Sequence, residues 1–277
     1  MSKWISLNQN DNGELETFLR EQEYFSVAPI ARIRKGLHRR DKIWKLCGNS
    51  GRIEAVLLYS GRTLFPVFNG NDPVPVPLFM RFFLMKYPIY AMQGLGRDVQ
   101  QLEKMLEARG ILPSDPKDFF LMKLDTSPIV SPDGDRDLII RKPGLADVNS
   151  LYELHKQYEI EEVIPKGSSF NPVNCMFTVN SMMTSDQVLV GEINGRLVAK
   201  VNVNGESYSR YQIGGVFVDP EFRGKGYATQ LVAEFCRRLI SEGKGVNLFA
   251  KKINAPAVKV YKKLGFQVIS DYRITYF

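Results

Sequence analysis

Histidine is nearly absent. His38 and His155 are the only two in 277 residues, which excludes a histidine-rich metal centre. The three cysteines, Cys47, Cys175 and Cys236, are odd in number and far apart. They supply neither a disulfide framework nor zinc-ligand spacing, and fit a reducing cytoplasm. No apolar run approaches the ~20 residues that cross a bilayer. The opening "MSKWISLNQNDNGE" has no apolar h-region, so no secretory leader is expected. The phosphate loop spacing GxxxxGK[ST] is missing, as is the three-glycine dinucleotide fingerprint.

What remains has the balance of a globular chain, 44% hydrophobic and 24% charged. Its length allows one large domain or two of ordinary size. The net charge of +7 is concentrated at one end, where Glu221 to Phe277 hold eleven Lys/Arg against four Asp/Glu. A basic segment of this kind attracts anions, although a solvated lysine-rich face has the same composition. The run "ARIRKGLHRRDK" (31–42) lacks interleaved aromatics and any nucleic-acid module pattern, so it reads as a solvated face and nucleic acid is not an expected partner.

The second half alternates cleanly between periods. "DLIIRKP" reads as a strand, and "ADVNSLYELHKQYEI" and "SSFNPVNCMFTVNSMMTS" as helices. Three strands follow over 187–193, 196–204 and 209–218, the first pair joined by the hairpin signal Asn194-Gly195. Ala228, Leu231, Val232, Phe235, Cys236 and Leu239 then fall on one helical stripe. "GVNLFAKK" is a strand, "APAVKVYKKLGF" a short helix, and "QVISDYRITYF" a closing strand or hairpin.

In the first half, helices are expected over "GELETFLREQEYFSVAPIARIRKG" and strands over "DKIWKLCG" and "RIEAVLLYSGRTLFPVFN". "NDPVPVPLF" is too proline-rich for a regular element. A strand–glycine–helix run, "YAMQGLGRDVQQLEKML", and a strand "DFFLMKLD" complete it. The linker "DTSPIVSPDGDRD" places a boundary between a domain at 1–128 and another at 137–277. The hairpin "IEAVLLYSGRTLFPVFN" echoes "QVLVGEINGRLVAKVNVN", and the glycine–helix run that follows echoes "VFVDPEFRGKGYATQLVAEF", as a duplicated α/β unit would.

The chemistry is carried by Arg223-Gly224-Lys225-Gly226-Tyr227-Ala228 at the strand-to-helix junction. Glycines let the backbone approach a ligand, the first N–H groups of the helix have no internal partner, and the helix field favours an anion. This makes a pyrophosphate cradle, to which Arg223 and Lys225 would add charge. Further on, Asn254, Ala257 and Tyr261 share one helix face. Asn254 can bind an amide-rich ligand, Ala257 leaves room for a chain to pass, and Tyr261 can donate a proton to a leaving group. The counterpart Gln93-Gly94-Leu95-Gly96-Arg97-Asp98 starts like the cradle but ends in a carboxylate, which would repel a pyrophosphate.

These two motifs, behind a β-meander, resemble the GNAT superfamily of acyl-CoA-dependent N-acetyltransferases over residues 137–277. The wording "GGVFVDPEFRGKGYA" and the ending "DYRITYF" are most similar to the glycine N-acyltransferase branch. The resemblance implies an α/β (α+β) fold with a mixed central sheet flanked by helices, and a second, degenerate GNAT-like domain at the N-terminus. It implies acetyl-CoA as co-substrate, an amine acceptor and no metal. The expected setting is a cytoplasmic, two-domain transferase without a membrane partner; a homodimer is compatible with it. Strand 213–218 would splay from 246–250. Backbone groups of Phe217 and Val218 would pair with the pantetheine arm and supply the oxyanion donor. Amides of Arg223, Gly224, Lys225, Gly226, Tyr227 and Ala228, with Thr229, would hold the pyrophosphate. Asn254 would contact pantetheine and Tyr261 would be the general acid. The general base stays open among Glu192, Glu206 and the pair Glu161/Glu162.

Overall fold

A computed structural model describes residues 3–7, 12–70, 72–75, 83, 86–128, 137–185 and 187–277. The chain packs as two compact units. The first comprises Met1–Leu121 with Phe249–Lys252 and Val268–Phe277, and the second Met122–Leu248 with Ile253–Gln267. The linker proposed from composition lies partly outside the described residues (129–136).

In the first unit, strand β1 (Lys3–Ser6) is followed by helices α1 (Asn12–Glu21) and α2 (Val27–Arg34). An antiparallel meander comes next, β2 (Lys42–Cys47), β3 (Ile53–Ser60) and β4 (Thr63–Phe68). Strand β5 (Ala91–Leu95) pairs parallel to β4 and leads into α3 (Gly96–Glu107), then β6 (Asp115–Leu124). Residues 69–90 separate β4 from β5, which is length enough for the crossover a parallel pair needs. The sheet order is β1-β2-β3-β4-β5-β12-β6, where β12 is the last strand of the chain, Gln267–Tyr276, antiparallel to β5. Its core is built from alternating strand residues such as Trp44, Leu57, Tyr59 and Leu64, packed on Val99, Leu102 and Leu106 of α3.

The second unit repeats that order. Strand β7 (Ile139–Arg141) precedes helices α4 (Val148–Tyr158) and α5 (Pro172–Met183), with a π-helical turn at Glu159–Val163 after α4. The meander β8 (Val188–Ile193), β9 (Arg196–Glu206) and β10 (Arg210–Val218) is antiparallel. Helix α6 (Tyr227–Ser241) returns the chain to β11 (Gly245–Lys251), parallel to β10, and α7 (Ala255–Lys263) follows. The order within this unit is β11-β10-β9-β8-β7. Leu151, Leu154, Val179, Val190, Leu197 and Phe217 form a core cluster. The expected stripe of α6 is buried at Leu231, Val232, Phe235, Cys236 and Leu239, and Ala228 is half-buried.

Most of the expected elements are present; β1 and the π-helical turn were not foreseen. The echo within the sequence is real in outline but one strand out of register. Parallel pairing identifies β5 with β11, so α3 corresponds to α7 and not to α6. The meander that matches β8-β9-β10 is β2-β3-β4. The error arose because both junctions read strand–glycine–helix locally, while the direction of pairing is set by the length of the preceding connection. The C-terminal strand, expected to close the C-terminal domain, instead joins the sheet of the first unit.

Candidate active site

Strand β10 is followed by Asp219, whose carboxylate accepts the Glu221 N–H at 3.0 Å and caps the short turn Pro220–Phe222. The chain then passes through Gly224 at φ +81° and Gly226 at φ +82°, where L side chains are strained. Gly226 is the residue before α6, and a Cβ at either glycine would meet nothing within 4 Å. The loop 223–226 is exposed, and no acidic residue occupies the first turn of α6. This leaves an open turn at a helix N-terminus, able to take an anion on backbone N–H groups. Thr229 is half-buried in that first turn.

The two cations do not crowd this turn. Arg223 folds back: Nε donates to the Val218 carbonyl at 3.0 Å and Nη2 to Glu161 at 2.8 Å, with the guanidinium 5.3 Å from the Phe217 ring centre. Lys225 Nζ lies 5.1 Å from the Phe222 ring centre. The expectation that the side chain of Arg223 adds charge at the cradle is therefore revised, since Glu161 neutralises it.

The parallel ladder between β10 and β11 runs from Arg210↔Gly245 to Ile213↔Leu248, and β10 continues to Val218 beyond that pair. On the other side the Asp219 N–H donates to Val198 at 2.9 Å. Alternation in an antiparallel ladder then turns the N–H of Val218 away from β9 and that of Phe217 toward it. Of the two donors named from sequence, Val218 is the one presented outward.

On α7, the Asn254 side chain accepts the Ala257 N–H at 3.1 Å, and Pro256 sits in the first turn. Asn254 is thus the helix cap and is half-buried. Tyr261 lies two turns on, is 7% exposed, and packs edge-on against Phe266 at 5.9 Å. Burial pushes its phenol well above the ordinary tyrosine value, with Tyr158, Cys236 and Glu162 adding to the effect. The hydroxyl therefore keeps its proton at neutral pH, as a proton donor must.

The base candidates fare differently. Glu206 lies opposite Tyr211, six positions along β9 from the partner of Phe217, Lys200, or roughly 20 Å at strand rise. Its carboxylate is ion-paired with Lys244. Glu192 accepts from Arg141 Nε at 2.8 Å, and Arg141 is held from the other side by Asp147 at 2.6 Å. Glu206 is therefore far along the strand from the end of β10, and both carboxylates are held by a cation of the chain. Glu162, by contrast, is close enough to Tyr261 to act on its ionisation.

Sequence reasoning missed a buried polar cluster under β10. Lys200 is fully buried, and around it stand Glu159, Cys175, His155 and Tyr158. The available signal was a lysine inside the apolar run Leu197–Val201 of a strand.

Residues 149–266 match the model of the "Acetyltransferase (GNAT) family". An acetyltransferase of Pectobacterium atrosepticum is 32% identical over 87 residues, 30% of this chain and 60% of that relative. The chain thus spans somewhat more than half the length of the curated relatives it matches. Among solved structures, a GCN5-related N-acetyltransferase from Sphaerobacter thermophilus superposes with a TM-score of 0.64 at 17% identity, covering 98% of this chain and 94% of that one. A tandem GNAT protein from the clavulanic acid biosynthesis pathway does so at 0.55 and 13% identity, covering 99% and 98%. A GNAT-like domain is present in this chain, and no described helix is long and apolar enough to cross a membrane.

Proposed function

We propose that the GNAT-like domain is an N-acetyltransferase that moves an acetyl group from acetyl-CoA to a primary amine within a ternary complex. The observation that carries this reading is the open turn Arg223–Gly226 at the start of α6, inside the matched residues 149–266. Backbone N–H groups from Gly224 to Ala228, with Thr229, would hold the pyrophosphate. Asn254 would bind the pantetheine amides, and Ala257 would leave that arm room. The Val218 N–H would donate to the acyl carbonyl oxygen. Tyr261 would protonate the departing thiolate. The thioester supplies the activated acyl group. The amine would lose its proton through water to a carboxylate, and Glu162, half-buried in the π-helical turn, is our candidate. The acceptor is a primary amine of unspecified identity, and the resemblance to the glycine N-acyltransferase branch suggests one narrower class to test.

The determinants of catalysis fall within 137–277, and residues 1–128 would be a degenerate copy. Its support is the shared order of strand, two helices, meander and parallel strand.

A second reading is an acyl-CoA-binding sensor without turnover, favoured by the ion-paired state of Glu192 and Glu206. Two measurements separate these. Acetyl-CoA at a hundred times its Kd should stabilise the fold by about 2.7 kcal/mol, read as a raised Tm. Thiol release from acetyl-CoA should then appear with at least one member of an amine panel. A Tm unmoved by millimolar acetyl-CoA sinks both readings, while a raised Tm without thiol release leaves the sensor.

A further inference from the structure

Lys200, Asn202 and Asn204 alternate along β9 and share one face of the strand. Opposite them, β10 carries Gly214 and Gly215. A Cβ on Gly214 would collide with the Asn204 amide, and one on Gly215 would collide with the Asn202 amide and stand 2.8 Å from Lys200 Nζ. The glycines exist to admit these side chains. Between them the register steps from Gly214↔Asn202 to Phe217↔Lys200, so β10 holds one residue more than β9. That is a β-bulge, with Gly215 at φ +60°.

Lys200 closes the bulge. Its Nζ donates to the Gly215 carbonyl at 2.9 Å and lies 4.2 Å from the centre of the Tyr158 ring. The groups facing it are Glu159 from the π-helical turn, His155 and Tyr158 from α4, and Cys175 from α5. Ligand-type atoms of His155, Glu159 and Cys175 lie within 4.8 Å of one another, but a cation among them would face this ammonium. A buried lysine is expensive, and an apolar side chain of the same shape is often as stable or more so. Its presence is explained by what only a donor can do, which is to hold a carbonyl at the bulge of an irregular strand.

We propose that Lys200 is a positioning residue for acyl transfer, fixing the Gly215 carbonyl and, through the bulge, the direction of the Val218 N–H. The inference rests on the acetyltransferase reading for its consequence, but not for its first observable. Burial brings the ammonium down from the usual lysine range to about 7, with Glu159 opposing the shift. Its charge therefore changes near neutrality, and the strand it pins should report that change.

The experiment uses the full chain labelled with ¹⁵N, as wild type, Lys200→Met and Lys200→Gln. In the wild type the amides of Val216 and Val218 should shift with a midpoint near pH 7, and in Lys200→Met that titration should be absent. With acetyl-CoA and a productive amine, Lys200→Met should lose roughly 10–100-fold in kcat, as a displaced reacting group does. KM for acetyl-CoA should stay within about threefold, since the turn at Gly224–Gly226 is untouched. Lys200→Gln keeps a donor without the charge, so it should keep most of the kcat and still lose the titration; it also stands in if Lys200→Met does not fold. Val216 and Val218 amides that keep their wild-type shifts in Lys200→Met, or a Lys200→Met enzyme with unchanged kcat, overturn the proposal. A wild type that titrates but shows no Tm response to acetyl-CoA overturns the acetyltransferase reading instead, and with it the catalytic consequence assigned to Lys200.

Discussion

The helix after the parallel strand begins differently in the two units. In the first, α3 starts behind Leu95, and the third residue after that cap is Asp98, 2% exposed. Its carboxyl accepts the Phe68 N–H at 3.1 Å and Arg97 Nε at 3.1 Å, so the helix start is filled by a side chain of the chain's own. In the second, α7 starts behind Asn254, and the third residue after it is Ala257. Seven positions after the cap stand Leu102 in one helix and Tyr261 in the other, both buried. One frame therefore carries aspartate and leucine, and the other alanine and a protonated phenol. The first unit is packed at the place where the second keeps a small residue and a proton donor. The glycines differ in the same sense. A Cβ at Gly94 would lie 2.9 Å from the Pro66 carbonyl, whereas Gly224 and Gly226 face open space. At these positions glycine serves close packing in the first unit and access in the second.

The comparison breaks most sharply at Gly226. Gly226→Val forces a β-branched residue to φ +82°, at about 1–2 kcal/mol, and puts a side chain where an anion must sit. Acetyl-CoA should no longer raise the Tm, and turnover should drop by roughly 100-fold or more. A variant that still binds acetyl-CoA as the wild type does would move the cradle away from this turn.

Next in size is the proton donor. Tyr261→Phe converts the second helix toward the first, an apolar ring in place of a phenol. It should lower kcat by about 100-fold while leaving acetyl-CoA binding and Tm near wild type. An unchanged kcat would show that the thiolate leaves without help from this hydroxyl, and that Tyr261 is a packing residue like Leu102.

Local signals made much of this legible. The Asn194-Gly195 hairpin, both residues at positive φ, is a chemical statement about two adjacent residues. The α6 stripe and the Asn254 cap likewise need only a helical period and a short side chain. The glycine turn was readable because few side chains tolerate its dihedrals. What stayed hidden depends on partners distant in sequence. Nothing in "QVISDYRITYF" says that β12 pairs with β5, far back along the chain. The parallel direction of β4 and β5, which corrected the register of the internal repeat, is likewise a property of the pairing and not of either strand. Glu192 and Glu206 read as free acids because Arg141 and Lys244 reach them only in the folded chain. Lys200 went unread because the groups that surround it, Glu159 and Cys175, come from two other elements.

The smallest expected effect tests whether Asp98 is a packed acid held for its shape or an anion held for its charge. Burial raises its carboxyl to about 6, outweighing the Phe68 N–H and Arg97, which both pull it down. A folded-state pKa above the unfolded one means that the native state holds the proton more tightly. The stabilising contribution is then full below pH 3.8 and is lost as pH rises through 6. Asp98→Asn keeps an acceptor for the Phe68 N–H but cannot titrate. Its penalty should be about 1 kcal/mol at pH 4, the value of an altered buried hydrogen bond, and should shrink as pH rises toward 7. Urea unfolding of both proteins at pH 4, 5, 6 and 7 measures that gap. A gap that widens with pH would mean that Arg97 holds an anion there, and the start of α3 would then be a filled charge site and not a packed one.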